Sequence, residues 1–145
     1  MTSFGPVVSA EWLADQLGEP DLAVVDCRWY LDGRSGRGVY ESGHIPSAVW
    51  ADIDTDLAAP ASVEGGRHPL PDPVDFALAM SRLGIADTTR VVAYDDVGGV
   101  IAGRLWWMLD VLGHEAAILD GGIASWVGPL ATKPVAPVPA PFGVT

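Results

Sequence analysis

The sequence predicts an α/β domain built on a mainly parallel, five-stranded sheet. Short apolar runs alternate along the chain with segments that carry helix signals. The runs show no alternation of polar and apolar residues, which is typical of strands buried on both faces. At 145 residues, 49% of them hydrophobic, the chain has the length of one domain and enough apolar material for a core.

Five apolar runs are predicted to be the strands. Each has two to five residues and is bounded by polar, glycine or proline residues. They lie at Val7–Val8, Leu22–Asp26, 48–51, Arg90–Tyr94 and Ala116–Leu119.

Capping residues mark the helices that connect these strands. Ser9 is a good N-cap for a helix over 10–17, and Gly18 is a stop signal. Asp72 as N-cap and Pro73 at the first position predict a second helix over 74–83, ended by Gly84. The other predicted helices are one turn at 40–43 after a glycine-rich loop at 32–38, a strongly apolar helix over 100–112 stopped by Gly113, and a short helix containing Trp126.

A change of composition divides the chain near its end. Residues 1–128 are predicted to form the domain, whereas 129–145 contain five of the 12 prolines and almost no charge. Such a composition favours a semi-rigid extended segment that does not pack. We therefore interpret 129–145 as an interdomain linker or tail.

Composition excludes several functional classes. The net charge of −11 makes nucleic acid and anionic membranes poor partners. One cysteine and three widely spaced histidines predict neither a disulfide nor a metal site, and we expect no cofactor. The chain has no apolar stretch long enough to span a membrane and no secretory signal, so we expect a cytoplasmic protein.

The most informative segment follows the fourth predicted strand. A tight loop with two aspartates and two glycines leads from that strand into an apolar helix, an arrangement that presents backbone N–H groups to an anion. We call this loop the cradle, and its residues are Asp95, Asp96, Val97, Gly98, Gly99 and Val100. A catalytic loop of this kind would begin with the nucleophile, but Asp95 stands there. We expect its carboxylate to fold back and accept the N–H groups itself, rather than to act in aspartyl catalysis.

Basic residues are concentrated between positions 28 and 68. They are Arg28, Arg34, Arg37, His44, Arg67 and His68, and they form either a site for a small anion or ordinary solvated loops. Arg104, one turn into the apolar helix, either pairs with one of the two loop aspartates or is a solvated or interface residue. The single thiol, Cys27, follows a buried strand rather than opening a glycine cradle, so we interpret it as an inert buried residue rather than a sulfur carrier.

These segments together resemble the rhodanese family, specifically the N-terminal domain of its two-domain members. The resemblance runs from Val7 to Trp126 and is most specific at Gly-His-Ile-Pro-Ser-Ala (43–48) and Leu-Asp-Gly-Gly (119–122). Further matching segments are 24–28, Gly-Arg-His-Pro-Leu-Pro (66–71), 92–96 and Arg-Leu-Trp-Trp-Met-Leu (104–109).

The resemblance implies the rhodanese fold, with helices on both faces of the sheet, and transfer of a sulfane sulfur from thiosulfate or 3-mercaptopyruvate to cyanide or a thiol. The sulfur is carried as a persulfide on a loop cysteine that two-domain members hold only in the C-terminal domain. Asp95 occupies the matching position here, so this chain lacks the nucleophile. The implied partners are a C-terminal catalytic rhodanese domain and a small sulfur-donor anion at the domain interface.

The resemblance also suggests substrate-positioning residues. Arg28, Asp52 and His68 are the candidates for the domain interface; in mercaptopyruvate-type relatives, residues matching Asp52 and His68 help to hold the substrate. The alternative is local: Asp52 caps a turn and His68 orders its loop. His44 is expected to anchor its turn by hydrogen bonding.

Two functions follow from these observations. The first is the structural and substrate-positioning half of a sulfurtransferase, inactive alone. The second is a stand-alone rhodanese-like pseudoenzyme that acts as a binding or regulatory module. A phosphatase-like activity is excluded because the loop has no cysteine.

Overall fold

A computed structural model, which describes residues 5–66 and 68–143, contains five strands and four α-helices in that part of the chain. The strands are β1 (Val7–Val8), β2 (Leu22–Asp26), β3 (Val49–Trp50), β4 (Arg90–Tyr94) and β5 (Ala116–Leu119). The helices are α1 (Ala10–Gln16), α2 (Gly36–Ser42), α3 (Pro73–Arg82) and α4 (Ala102–Asp110), and a 3₁₀ turn covers Gly122–Ser125.

The strands form one sheet in the order β1-β5-β4-β2-β3, and all four pairings are parallel. The longest pairing joins Leu22–Asp26 to Arg90–Tyr94 residue by residue. The prediction of a parallel five-stranded sheet is confirmed. Because parallel strands end at the same edge, the segments after β2, β3, β4 and β5 converge there.

Helices cover both faces of the sheet, as expected. Neighbouring strand residues point to opposite faces, so Val24 and Val92 pack with Leu13 of α1 and Tyr40 of α2. Val25 and Ala93 pack instead in a cluster with residues of α3 and α4, among them Phe76, Met80, Leu105 and Leu109. The two clusters together form the core of a three-layer α/β domain.

The capping residues act as predicted. The Ser9 side chain accepts a hydrogen bond from the Trp12 N–H at 3.0 Å, and Asp72 accepts one from Val74 at 3.0 Å. Gly84 and Gly113 adopt left-handed φ angles of +82° and +75° just beyond α3 and α4. The apolar helix is shorter than predicted because residues 98–101 form a turn before α4 begins.

The glycine-rich loop is the clearest error of the helix predictions. A helix of seven residues, α2, starts at Gly36 instead of a single turn starting at 40. Ser35 caps it by accepting the Gly38 N–H at 3.0 Å. Gly36 lies so close to the Arg28 carbonyl that a Cβ atom would not fit, which explains a glycine in a helix.

The proline-rich tail packs against the domain, contrary to our expectation. Ala131 pairs with His44 through two backbone hydrogen bonds of 2.8 and 2.9 Å, and Val135 donates to the Tyr40 hydroxyl at 3.0 Å. Phe142 meets Phe76 edge to face. The tail contains no helix and no strand within 129–143, yet it is anchored along its length. Its role as a linker remains a prediction.

One tryptophan of the adjacent pair in α4 is buried against the core and the other is exposed. Trp106 packs on the core, whereas Trp107 keeps 46% of its surface exposed. Among the described helices, none combines the length and the apolar character needed to cross a bilayer.

Candidate functional site

A cleft of about 610 Å³ lies where the segments after β2, β3 and β4 converge. Its wall combines aromatic, apolar and charged side chains: Trp29, Tyr30, Leu31, Asp32, Arg34, Ile53, His68, Val97, Val100, Ile101 and Arg104. Leu31 and Val100 are 71% and 77% exposed. The cleft therefore joins the acidic loop after β4 to part of the basic segment, at the sheet edge where α/β proteins bind ligands.

The carboxylate of Asp95 fills the cradle. Its Oδ1 accepts the N–H groups of Val97 and Gly99 at 3.0 and 2.9 Å, and its Oδ2 accepts those of Ile101 and Ala102 at 2.9 and 2.8 Å. Asp95 has no exposed surface. The carboxylate thus supplies acceptors to N–H groups at the start of α4, where negative charge is stabilised by the helix dipole. The prediction that this side chain folds back is confirmed by these hydrogen bonds.

Glycines shape the cradle from two sides. Gly98 and Gly99 have φ angles of +73° and +89°, which turn the loop so that its N–H groups converge on one carboxylate. From the far side, Gly122 approaches the Asp95 carbonyl so closely that no Cβ atom would fit there. That carbonyl also accepts the Ile123 N–H at 3.1 Å. Gly122 is therefore a packing requirement of this loop.

Asp96 binds a tyrosine rather than an arginine. The Tyr30 hydroxyl donates to Asp96 Oδ2 at 2.6 Å, and the Arg34 guanidinium stacks on the Tyr30 ring at 3.9 Å. Burial, together with the hydrogen bond to Asp96, raises the pKa of Tyr30 to about 12. The proposed pairing of Arg104 with either loop aspartate is wrong, because both carboxylates have other partners.

We expect the ionisation of Tyr30 to report on this contact. Its folded pKa of about 12 lies above the ordinary value of 10, so its contribution to stability is complete below pH 10 and is lost as the pH rises through 12. Asp96→Asn should lower the tyrosine pKa by removing the negative acceptor. An ultraviolet pH titration measures this, and Tyr30→Phe identifies the transition. If the Tyr30 ionisation occurs at the same pH in Asp96→Asn as in the wild type, the hydrogen bond between Tyr30 and Asp96 is contradicted.

His68 lies in the cleft and pairs with an aspartate that the sequence analysis missed. Its Nε2 lies 2.6 Å from Asp54 Oδ1, while Trp29 Nε1 donates to Asp54 Oδ2 at 3.2 Å. The His68 and Trp29 rings also meet edge to face. Asp54 therefore links the histidine to the aromatic wall. Its one sequence signal is its place in the run Asp52-Ile53-Asp54, in which the resemblance points to Asp52.

Asp52 caps a turn, which is the local alternative to a substrate-positioning role. Its Oδ1 accepts the Asp54 N–H at 2.9 Å, and its carbonyl accepts the N–H groups of Thr55 and Asp56. Burial raises the pKa of Asp52 from its ordinary value. It is not part of the cleft wall and instead fixes the turn that presents Asp54.

Arg28 is buried and engaged, which removes it from the anion candidates. Its guanidinium pairs with Asp26 at 2.6 Å and donates to the Gly43 carbonyl at 2.6 Å. Tyr94 donates to the same aspartate at 2.9 Å. With 5% of its surface exposed, Arg28 joins β2, β4 and the turn after α2 beneath the site.

The other basic residues are dispersed, so the basic segment does not form one patch. Arg37 forms an exposed pair with Glu41. His44 is buried and its Nδ1 lies 2.8 Å from the Tyr40 carbonyl, which agrees with an anchoring role. Of the segment, Arg34 and His68 reach the cleft. Arg67 lies outside the described residues.

Arg104 fastens two loops to α4. Its Nε donates to the Leu57 carbonyl at 2.8 Å, and its Nη2 donates to the carbonyls of His68 and Pro69 at 2.8 and 3.0 Å. The Leu57 bond holds the segment that follows Asp54, and the other bonds hold the segment that carries His68. Arg104 thereby fixes to α4 both the segment that carries His68 and the segment that follows its partner Asp54.

Cys27 has the environment of an inert thiol. It has no exposed surface, and burial, with further contributions from Asp26 and Asp95, raises the pKa of the thiol well above its ordinary value. A thiol held neutral is a poor nucleophile. The cleft wall does not include it.

Comparisons with a family model, with curated proteins and with solved structures all point to the same family. The rhodanese-like domain family matches residues 9–129. A probable 3-mercaptopyruvate sulfurtransferase of Pseudomonas aeruginosa is 46% identical over 129 residues, covering 86% of this chain and 45% of the relative. The thiosulfate sulfurtransferase of Bos taurus is 38% identical over 152 residues, covering 96% and 50%. The 3-mercaptopyruvate sulfurtransferase of Leishmania major superposes with a TM-score of 0.85 at 31% identity, covering 98% and 41%. The chain spans about half the length of the curated relatives it matches.

Proposed function

Because this chain belongs to the rhodanese-like domain family, we propose that it is the N-terminal, substrate-positioning half of a two-domain sulfurtransferase. The whole enzyme moves a sulfur atom from thiosulfate or 3-mercaptopyruvate to a carrier thiolate, where it is held as the sulfane sulfur of a persulfide, and then to cyanide or a thiol. The relatives that carry these activities in their names are about twice as long as this chain, which supports a second, catalytic domain as the partner.

The carboxylate in the cradle is the observation that carries the proposal. Sulfur transfer through a carrier needs a polarisable nucleophile that can form a persulfide, and a carboxylate cannot do so. Asp95 moreover uses both its oxygens on four backbone N–H groups. The thiolate of the proposed reaction therefore comes from the partner domain. The resemblance implies that this domain closes the cleft.

The contribution of this chain is the other wall of the active site. The exposed apolar side chains of Leu31, Val97 and Val100 surround the cleft mouth and suit contact with a second domain. His68, paired with Asp54, supplies a polar group at a fixed position on that wall. Closure by the partner excludes water and strengthens such polar contacts with a bound donor.

We expect the purified chain to form no thiocyanate from thiosulfate and cyanide above the uncatalysed background. The physical reason is the missing loop thiolate and the buried, neutral Cys27 thiol. The rate of thiocyanate formation is measured by the absorbance of the iron–thiocyanate complex. As a positive control, the chain joined to a rhodanese domain with a loop cysteine should be active. Turnover by the chain alone that is lost in Cys27→Ser would contradict the proposal and make Cys27 the carrier.

A stand-alone binding module is the second candidate, favoured by the same exposed apolar rim. The intact mass of the native gene product separates the two. A mass near twice 15.2 kDa supports the half-enzyme, and a mass of 15.2 kDa supports the module. The cytoplasmic location expected from the sequence remains a prediction in both cases.

A further inference from the structure

Arg104 differs from the other cation on the cleft wall in its choice of partners. Arg34 is exposed and pairs with Asp32 at 3.1 Å. Arg104 is partly buried, and within residues 5–66 and 68–143 its partners are three neutral carbonyl oxygens, with no carboxylate among them. This occurs in a chain with 19 acidic and eight basic residues, where carboxylates are abundant. The cleft wall therefore holds one positive charge that no protein carboxylate neutralises in the described part.

A partly buried charge without a counter-ion is costly to the fold. Removing a guanidinium from water weakens its hydration, and burial lowers the pKa of Arg104 from its ordinary value. Neutral carbonyls recover part of that loss through hydrogen bonds. They do not supply the opposite charge that proteins use for most buried cations. Such an arrangement is typical of a group whose counter-charge arrives with a ligand.

The hydrogen bonds also hold the guanidinium ready for a ligand. Nε and Nη2 are engaged by the carbonyls of Leu57, His68 and Pro69, whereas Nη1 has no acceptor in the described part of the chain. Because the planar group is fixed on two sides, an anion that binds Nη1 does not have to order a flexible side chain. The apolar neighbours Val100 and Ile101 lower the local dielectric and strengthen that attraction.

We propose that Arg104 binds the anionic end of the sulfur donor in the cleft, a carboxylate or a thiosulfate oxyanion. The assignment rests on the proposed function for the identity of the donor, but the anion site itself is a property of this chain. His68 lies on the same wall and adds a second polar contact. The neighbouring carboxylates are already occupied, Asp32 by Arg34 and Asp54 by His68 and Trp29.

The test is a titration of the ¹⁵N-labelled chain with sodium thiosulfate and with sodium pyruvate, which has the carboxylate of 3-mercaptopyruvate without its thiol. We expect saturable shifts of the Arg104 Nε–Hε resonance and of the Val97 and Ile101 amides, with affinities in the millimolar range. Sodium chloride at equal ionic strength should not reproduce them. Arg104→Met should weaken binding by at least about tenfold. The matched control is Arg37→Gln, whose exposed pair with Glu41 lies outside the cleft wall, and it should bind as the wild type does.

Three results would overturn the proposal: no saturable shift in the wild-type chain, shifts that chloride reproduces equally, or binding that Arg104→Met weakens no more than Arg37→Gln does. If Arg104→Met does not fold, the wild-type titration still decides, and Arg104→Lys should retain weakened binding because it keeps the charge. The readout involves no turnover. Anion binding without sulfur transfer in the joined enzyme would refute the proposed function alone, and transfer without binding at Arg104 would refute this inference alone.

Discussion

Replacing Asp95 with alanine is expected to destabilise the domain by about 3–4 kcal/mol, the largest effect of any single carboxylate deletion that we predict. The change leaves four backbone N–H groups without their acceptor, two of them at the start of α4. Urea unfolding followed by tryptophan fluorescence measures the loss. Asp96→Asn is the matched control. Within the described residues that carboxylate accepts one side-chain hydrogen bond, from Tyr30, so the change should cost less than about 1 kcal/mol.

A glycine variant of Asp95 tests whether the loss of stability comes from the missing hydrogen-bond acceptor or from the missing side chain as such. Asp95→Gly empties the cradle while keeping its N–H groups, so a small anion such as formate or sulfate should restore stability as its concentration rises. Chloride at the same ionic strength controls for screening. Equal losses for Asp95→Ala and Asp96→Asn, with no recovery in formate, would show that the carboxylate does not organise this loop.

Replacing Arg28 with methionine is expected to cost about 3–5 kcal/mol, because it leaves the Asp26 carboxylate buried without its counter-ion. Asp26 has no exposed surface, and the arginine is also bonded to the Gly43 carbonyl. The same urea measurement applies. Arg34→Met is the control, since its pair with Asp32 is exposed and should be worth at most about 1 kcal/mol.

A double variant tests the cause of that loss. Asp26→Asn combined with Arg28→Met removes both charges, so it should be more stable than Arg28→Met alone. If the single variant loses no more stability than Arg34→Met, the buried pair does not hold β2 to the turn after α2 in the way its geometry indicates.

The sheet could be predicted from the sequence because its information is local. Leu22–Asp26 and Arg90–Tyr94 are apolar runs with polar ends, and their bounds agree with the structure. The carboxylate in the cradle was also predictable, because a strand, a loop and a helix start follow one another there. Donor and acceptor lie within seven residues, between Asp95 and Ala102.

The errors about the site residues and the tail concern contacts between distant segments. Asp54 and Asp52 are equivalent as sequence signals, and only the position of His68, 14 residues away, distinguishes them. Arg28 looks like a loop cation until the turn that carries the Gly43 carbonyl, 15 residues away, encloses it. The proline-rich tail has no hydrophobic periodicity from which the contact between Phe142 and Phe76 could be predicted. In each case the deciding partner is brought in by the fold rather than by neighbouring residues.

The occupied cradle has a consequence for competition with ions in the cell. A carboxylate attached to the loop that it caps competes as an intramolecular ligand, which pays none of the translational entropy that a free ion loses on binding. Phosphate or sulfate in the millimolar range cannot displace such a group by mass action. We therefore expect the loop after β4 to stay closed to inorganic anions at physiological concentrations, which leaves the cleft beside it as the site of the anion binding that we propose.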